Sequence, residues 1–95
     1  GHTASLFPGS PVLASRKWAA TSHAPAGTVP RDRVTLTLAA LRVALDALFL
    51  ATGADKKSAV RDSLAFSPDD PSAPPAARVQ PLRTTTWIID EAAAE

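Results

Sequence analysis

Two histidines, His2 and His23, are the residues of this sequence best suited to proton transfer or metal binding. Both lie in segments predicted to be coil, and neither is placed at metal-ligand spacing from the other or from a cluster of carboxylates. His2 directly follows the first residue, so it also fits the remnant of a cleaved tag. We therefore assign neither histidine a catalytic role and predict no metal site.

Asp69 and Asp70 are adjacent carboxylates that could in principle share a proton or a divalent cation. Their setting, Ser67-Pro68-Asp69-Asp70-Pro71, is more typical of a turn or a helix cap. The serines form no nucleophile elbow, and the 4 glycines form no loop that could cradle a phosphate. The sequence therefore predicts no catalytic residue and no bound cofactor, and it predicts that the protein is not an enzyme.

The longest apolar stretch, residues 34–52, dominates the predicted secondary structure. It reads VTLTLAALRVALDALFLAT, and its density of Leu and Ala favours a helix over a strand. Pro30 and Asp32 suit a helix start, and Gly53 is the residue type preferred just after a helix end. The sequence predicts a helix over residues 30–52 that is apolar well beyond the roughly 100° arc of an ordinary surface helix.

A second, shorter helix is predicted over residues 55–66, with Asp55 as its N-cap. The short connection makes the two helices a hairpin. The second helix can cover only one flank of the first, so the other flank must be covered by the chain ends, by a second copy or by a different protein.

The two ends of the chain are interrupted by proline. The 9 prolines concentrate in residues 7–30 and 68–81, which predicts extended segments there. The β-branched run over residues 83–89 is the clearest strand signal, and residues 12–22 are a second strand candidate that could pair with it. The predicted fold is thus mainly α, a helical hairpin with extended Pro-rich arms and one or two short strands. Its predicted parts are an extended arm (1–29), the helical hairpin (30–67), a Pro-rich linker (68–82) and a C-terminal strand with an acidic tail (83–95).

Charge is unevenly distributed, although the formal net charge is only +1. Residues 1–33 carry four basic side chains against one acidic, and residues 68–95 carry two against five. So weak a basic character argues against nucleic-acid binding, in which phosphate neutralisation supplies most of the affinity. The alternative kept open is a small dimeric DNA-binding protein of strand–helix–helix type, with Arg16, Lys17 and Trp18 on the strand.

The two-sided apolar helix and the proline-rich arms predict a small non-catalytic accessory subunit of a larger protein assembly. Its predicted partners are other subunits or a second copy, and Arg42 and Asp46 near the middle of the apolar stretch disfavour a membrane span. The absence of Met and the acid-free run before Asp32 favour a processed chain inside an organelle or another compartment. The residues predicted to contact partners are apolar residues of the helix and the arms: Trp18, Leu38, Val43, Leu45, Phe49, Leu50, Trp87 and Ile88.

Overall fold

The fold is an α/β arrangement, seen in a computed structural model that describes residues 1–94. Its strands are β1 (Ala19–His23), β2 (Asp32–Leu36), β3 (Asp46–Ala51) and β4 (Thr84–Ile89). Its α-helices are α1 (Leu38–Leu41), α2 (Lys57–Ala65), α3 (Pro75–Arg78) and α4 (Glu91–Ala94), and Pro11–Ala14 and Ala54–Lys56 form 3₁₀ turns. The predicted mainly α fold is therefore wrong.

The strands of residues 1–94 form two separate two-stranded sheets. Strands β1 and β2 pair antiparallel, with Ala19 opposite Leu36 at one end and His23 opposite Asp32 at the other. Strands β3 and β4 pair parallel, from Asp46 opposite Thr84 to Ala51 opposite Ile89. A parallel pair needs a long connection between its strands, and here that connection contains α2 and α3.

The predicted long helix over residues 30–52 is divided into a strand, one helical turn and another strand. Thr37 marks the first division. Its fully buried hydroxyl accepts from the Ala40 N–H at 3.2 Å, which caps α1, and donates to the Lys17 carbonyl oxygen. The helix prediction failed because a strand of a parallel sheet also reads as a continuous apolar run, and periodicity cannot separate the two.

The predicted helical hairpin is likewise wrong, although a helix does form at Lys57–Ala65. Without a long first helix, α2 packs against α3 and α4 instead. The segment 12–22 is not the neighbour of β4, because it contains a 3₁₀ turn and the start of β1, which pairs with β2. Helix α4 occupies most of the predicted acidic tail, whose last residue, Glu95, lies outside the described residues.

The main core cluster unites residues from three of the predicted parts, the N-terminal arm, the helical hairpin and the Pro-rich linker. Leu6, Leu13, Leu38 and Val79 are buried together, and four half-buried apolar residues pack against them: Val12, Leu41, Ala47 and Phe49. Leu6 is completely inaccessible to solvent. The N-terminal segment is therefore fixed to the body of the fold by its own apolar side chains.

One face of the β3–β4 sheet stays exposed in the described part of the chain. Leu48, Leu50 and Ile88 are 63%, 71% and 50% accessible. Parallel sheets are normally covered on both faces, so this face is suited to contacts beyond those made within residues 1–94. Within those residues, no helix has the length and apolar character needed to cross a membrane.

An ion pair between Arg83 and Asp46 joins β3 and β4 at the start of the parallel sheet. The Arg83 guanidinium donates through Nη2 to Asp46 Oδ2 at 2.6 Å and through Nε to Oδ1 at 3.1 Å. The Thr84 hydroxyl also donates to Oδ1. These hydrogen bonds to its ionised form hold the pKa of Asp46 below the ordinary value of 3.8, with the bond from Arg83 the largest cause.

The ion pair between Asp46 and Arg83 should make a pH-dependent contribution to the free energy of unfolding. Because the folded-state pKa of Asp46 is lowered, the contribution is present above the unfolded pKa and is lost as pH falls through the folded value. We expect the difference in urea midpoint between the parent and Asp46→Asn to be largest near neutral pH and to shrink below about pH 4. Asp69→Asn, at an exposed carboxylate, is the matched control. A pH-independent difference would contradict this assignment.

Candidate active site

A cavity of about 460 Å³ opens beside the carboxyl-terminal end of β3. The N-terminal segment forms one wall, and the start of α2 forms another. In open α/β sheets, ligands usually bind outside the carboxyl ends of parallel strands. The polar and aromatic residues that line the cavity include His2, Thr3, Thr52, Asp55, Lys56 and Trp87.

His2 is held in a defined tautomer. Its Nδ1 lies 2.9 Å from the carbonyl oxygen of Ala4. A carbonyl oxygen can only accept a hydrogen bond, so Nδ1 must carry the proton and Nε2 of the neutral ring keeps a free lone pair. The ring also packs on Phe7, with the centroids 4.9 Å apart, and the Arg33 guanidinium lies over Phe7 at 5.4 Å from its centroid. His2 is thus an oriented, solvent-accessible base.

A tight turn carries His2. The Thr3 N–H donates to the Leu6 carbonyl at 3.1 Å, and the Leu6 N–H donates back to the Thr3 carbonyl at 2.8 Å. Within the turn Ala4 has φ of 51°, a left-handed conformation that costs energy for a residue with a Cβ. The surrounding contacts must therefore hold this turn, and the buried Leu6 is one of them.

Lys56 places a cationic side chain in the cavity lining. It ends the 3₁₀ turn that leads into α2, and the nearest carboxylate oxygen, Asp55 Oδ2, is 4.0 Å from its Nζ. No side chain caps the N-terminus of α2. The 3₁₀ turn runs directly into α2, so the N–H groups of Lys56 and Lys57 already donate to the carbonyl oxygens of Gly53 and Ala54. The positive end of the helix dipole adds to the attraction that the Lys56 ammonium exerts on anions.

Asp90 fixes the loop that precedes Lys56. Both of its carboxylate oxygens lie 3.1 Å from the Gly53 nitrogen, and Oδ1 also accepts from the Ala93 N–H at 2.9 Å. Gly53 has φ of +97°, and a Cβ at this position would lie 2.7 Å from Asp55 Oδ1. Only glycine suits this conformation, so the loop between β3 and α2 is well defined.

The residues predicted to contact partners do not form one surface. Leu38 is buried in the core. Phe49 and Trp87 stack at 4.5 Å between centroids and, with Leu50, line the cavity. The other predicted contact residues are at least half exposed and lie outside this cavity: Trp18, Val43, Leu45 and Ile88. Their role in partner contacts stays a prediction.

Sequence reasoning missed the residues that the cavity brings together. His2 lies in predicted coil, so the sequence assigns it no role, and Asp55 and Lys56 indicate only the start of a helix. Nothing local in the sequence connects His2 with Lys56. Their proximity depends on the core packing of the N-terminal segment and on the loop after β3.

Comparison with known proteins identifies the family. Residues 1–88 match the family described as glucosamine-6-phosphate isomerases/6-phosphogluconolactonase, and the chain belongs to this family. The chain is similar to the 6-phosphogluconolactonases of Rattus norvegicus, at 45% identity, and of Homo sapiens, at 40%. Each of these alignments covers 99% of this chain and 36% of the relative, so the chain spans little more than a third of their length.

Solved structures agree with the family assignment. The crystal structure of 6-phosphogluconolactonase from Leishmania guyanensis superposes with a TM-score of 0.82 at 33% identity, covering 100% of this chain and 37% of that one. The crystal structure of devB protein gives a TM-score of 0.81 at 31% identity, covering 99% of this chain and 39% of that one. The α/β fold of this chain therefore occurs in an experimental structure of a 6-phosphogluconolactonase.

These findings correct the functional predictions. The family is one of enzymes, so the prediction that the protein is not an enzyme is wrong. The non-catalytic accessory subunit and the dimeric DNA-binding protein are wrong for the same reason. The family match begins at residue 1, so Gly1 and His2 lie inside the matched segment.

Proposed function

We propose that the protein is a 6-phosphogluconolactonase, which opens the lactone ring of 6-phosphogluconolactone with water. The observation that carries this proposal is the shared cavity of His2 and Lys56, since it brings an imidazole and an ammonium group to one site. The similarity to curated 6-phosphogluconolactonases supports the choice of substrate.

His2 acts in this proposal as the general base. Its unprotonated Nε2 removes a proton from water while the water oxygen attacks the lactone carbonyl carbon. As the tetrahedral intermediate collapses, the bond from that carbon to the ring oxygen breaks, and the imidazolium returns the proton to the departing oxygen. The products are a carboxylic acid and a hydroxyl on the same molecule, so the step consumes one water and needs no cofactor.

Lys56 supplies the attraction for the phosphate of the substrate. An ammonium group is suited to bind a phosphate, because it carries a positive charge and three hydrogen-bond donors. The Lys56 ammonium group is 4.0 Å from the Asp55 carboxylate, which is beyond hydrogen-bonding distance, so its donors are available to the phosphate. In this proposal, binding of the phosphate by Lys56 orients the lactone carbonyl relative to His2.

The test is to measure acid release by the complete protein from 6-phosphogluconolactone and from unphosphorylated gluconolactone, each corrected for spontaneous hydrolysis. We expect kcat/KM to be at least about 10-fold higher for the phosphorylated lactone, the value of one good charged contact. Equal rates would exclude phosphate recognition. No acceleration of either lactone, together with conversion of glucosamine 6-phosphate, would instead favour the isomerases of the same family.

A further inference from the structure

We propose that Thr35 and Ser22 are positioning residues for His2, acting through the backbone of Ser5. The Ser5 N–H donates to Thr35 Oγ1 at 3.1 Å, and the Ser5 carbonyl oxygen accepts from Ser22 Oγ at 2.5 Å. Both polar backbone groups of one turn residue are thus held by side chains of the β1–β2 hairpin. The effect on catalysis rests on the function proposed for His2.

Thr35 acts on the same peptide group that orients the imidazole. The carbonyl oxygen of Ala4 and the N–H of Ser5 belong to one planar unit, in which they point in opposite directions. His2 Nδ1–H donates to that carbonyl, and Thr35 Oγ1 accepts from that N–H. Rotation of the peptide plane would break both bonds, so Thr35 fixes the direction of the bond that selects the His2 tautomer.

The Thr35 hydroxyl acts both as a hydrogen-bond donor and as an acceptor. Its hydroxyl donates to the Leu36 carbonyl at 2.8 Å, which leaves an Oγ1 lone pair for the Ser5 N–H. The residue is only 4% exposed. A buried hydroxyl without partners would be unfavourable, and here donor and acceptor are both used.

Ser22 holds the next peptide group of the turn. The Ser5 carbonyl shares its plane with the Leu6 N–H, which donates to the Thr3 carbonyl and closes the turn. Ser22 is 2% exposed. In the register of the hairpin Ser22 lies opposite Arg33 and Ala20 opposite Thr35, so Ser22 and Thr35 project from the same face. That face receives the turn that carries His2.

The left-handed backbone of Ala4 explains why the hydrogen bonds that Thr35 and Ser22 make with Ser5 are needed. A residue with a Cβ at φ of 51° relaxes unless its neighbours over-determine the conformation. Leu6 anchors the far end of the turn in the core, but it makes no bond to the Ala4–Ser5 peptide. Within the described residues, the hydrogen bond from the Ser5 N–H to Thr35 Oγ1 holds the orientation of the Ala4–Ser5 peptide.

The test compares Thr35→Val, Thr35→Ser and Ser22→Ala in the complete protein, with Thr21→Val as the control. Thr21 lies on the exposed face of the same hairpin. The first measurement is ¹⁵N NMR of histidine-labelled protein, with the His2 signals identified by their loss in His2→Asn. We expect the parent to hold the Nδ1-protonated tautomer and Thr35→Val to shift toward Nε2 protonation. Thr35→Ser and Thr21→Val should resemble the parent, and Ser22→Ala should give a smaller shift.

The second measurement separates positioning from general stability. We expect kcat for 6-phosphogluconolactone to fall about 10-fold or more in Thr35→Val, because small misplacements of a base are costly. KM should stay unchanged, since Lys56 is untouched, and Thr35→Ser should restore kcat. An unshifted His2 tautomer in both Thr35→Val and Ser22→Ala would overturn this inference, whatever the activity. An inactive parent with the expected NMR shifts would instead refute the proposed function alone.

Discussion

We expect His2→Asn to lower kcat for 6-phosphogluconolactone by about 10²- to 10⁴-fold, the usual contribution of a general base. The asparagine amide can still donate to the Ala4 carbonyl from nearly the position of Nδ1, so the turn keeps its hydrogen bond. It has no basic nitrogen, so it cannot take the proton of the attacking water. KM should change little, because Lys56, the proposed phosphate contact, is unchanged in this variant.

The matched control is His23→Asn. His23 lies on β1, its Nδ1 is 2.9 Å from Asp32 Oδ1, and it does not line the cavity. We expect this variant to retain parental kcat and KM in the same acid-release assay. Circular dichroism and the thermal midpoint of both variants establish that they are folded. Full activity of folded His2→Asn would eliminate His2 as the base.

We expect Lys56→Met to raise KM for 6-phosphogluconolactone about 10- to 100-fold, because a hydrogen bond to a charged group contributes about 1.5–3 kcal/mol. Methionine keeps the length and apolar stem of the side chain and removes only the charge and its donors. The kinetics toward unphosphorylated gluconolactone should be almost unchanged. The measurement is therefore the ratio of kcat/KM for the two lactones.

The neighbouring lysine provides the control for Lys56. Lys57 begins α2 and does not line this cavity, so Lys57→Met removes one positive charge from the same turn without removing the proposed contact. Its substrate ratio should match that of the parent. A ratio that falls equally in both variants would assign the effect to the general positive charge of the helix start.

Some local structure followed from residue type alone. The β-branched run at the C-terminal end forms β4, Thr84–Ile89, because such side chains suit a pleated backbone. A helix follows Asp55, because the segment to Phe66 has the composition of a short helix, although Asp55 lies in the preceding 3₁₀ turn and is not the predicted N-cap. Gly53 does occupy a position that demands positive φ, although it follows a strand rather than a helix.

The remaining strands and their pairing were decided by the tertiary structure, because they depend on contacts between residues far apart in the chain. The apolar run 34–52 becomes two strands because β1 and β4 offer partners, and no periodicity within the run reveals them. Its composition fits a helix equally well until those partners are in place. The start of α2 follows β3 closely in the chain, and the packing of the N-terminal segment against the core then places His2 in the same cavity.

The candidate active site shows the same dependence on distant contacts. His2 lies in a segment without regular structure, and it becomes an oriented base only when Leu6 enters the core and the hairpin holds Ser5. Sequence determined which groups were available: an imidazole, a lysine and two small hydroxyl residues. Their chemistry emerges only after folding, because hydrogen bonds select the His2 tautomer and burial fixes the side chains that make them.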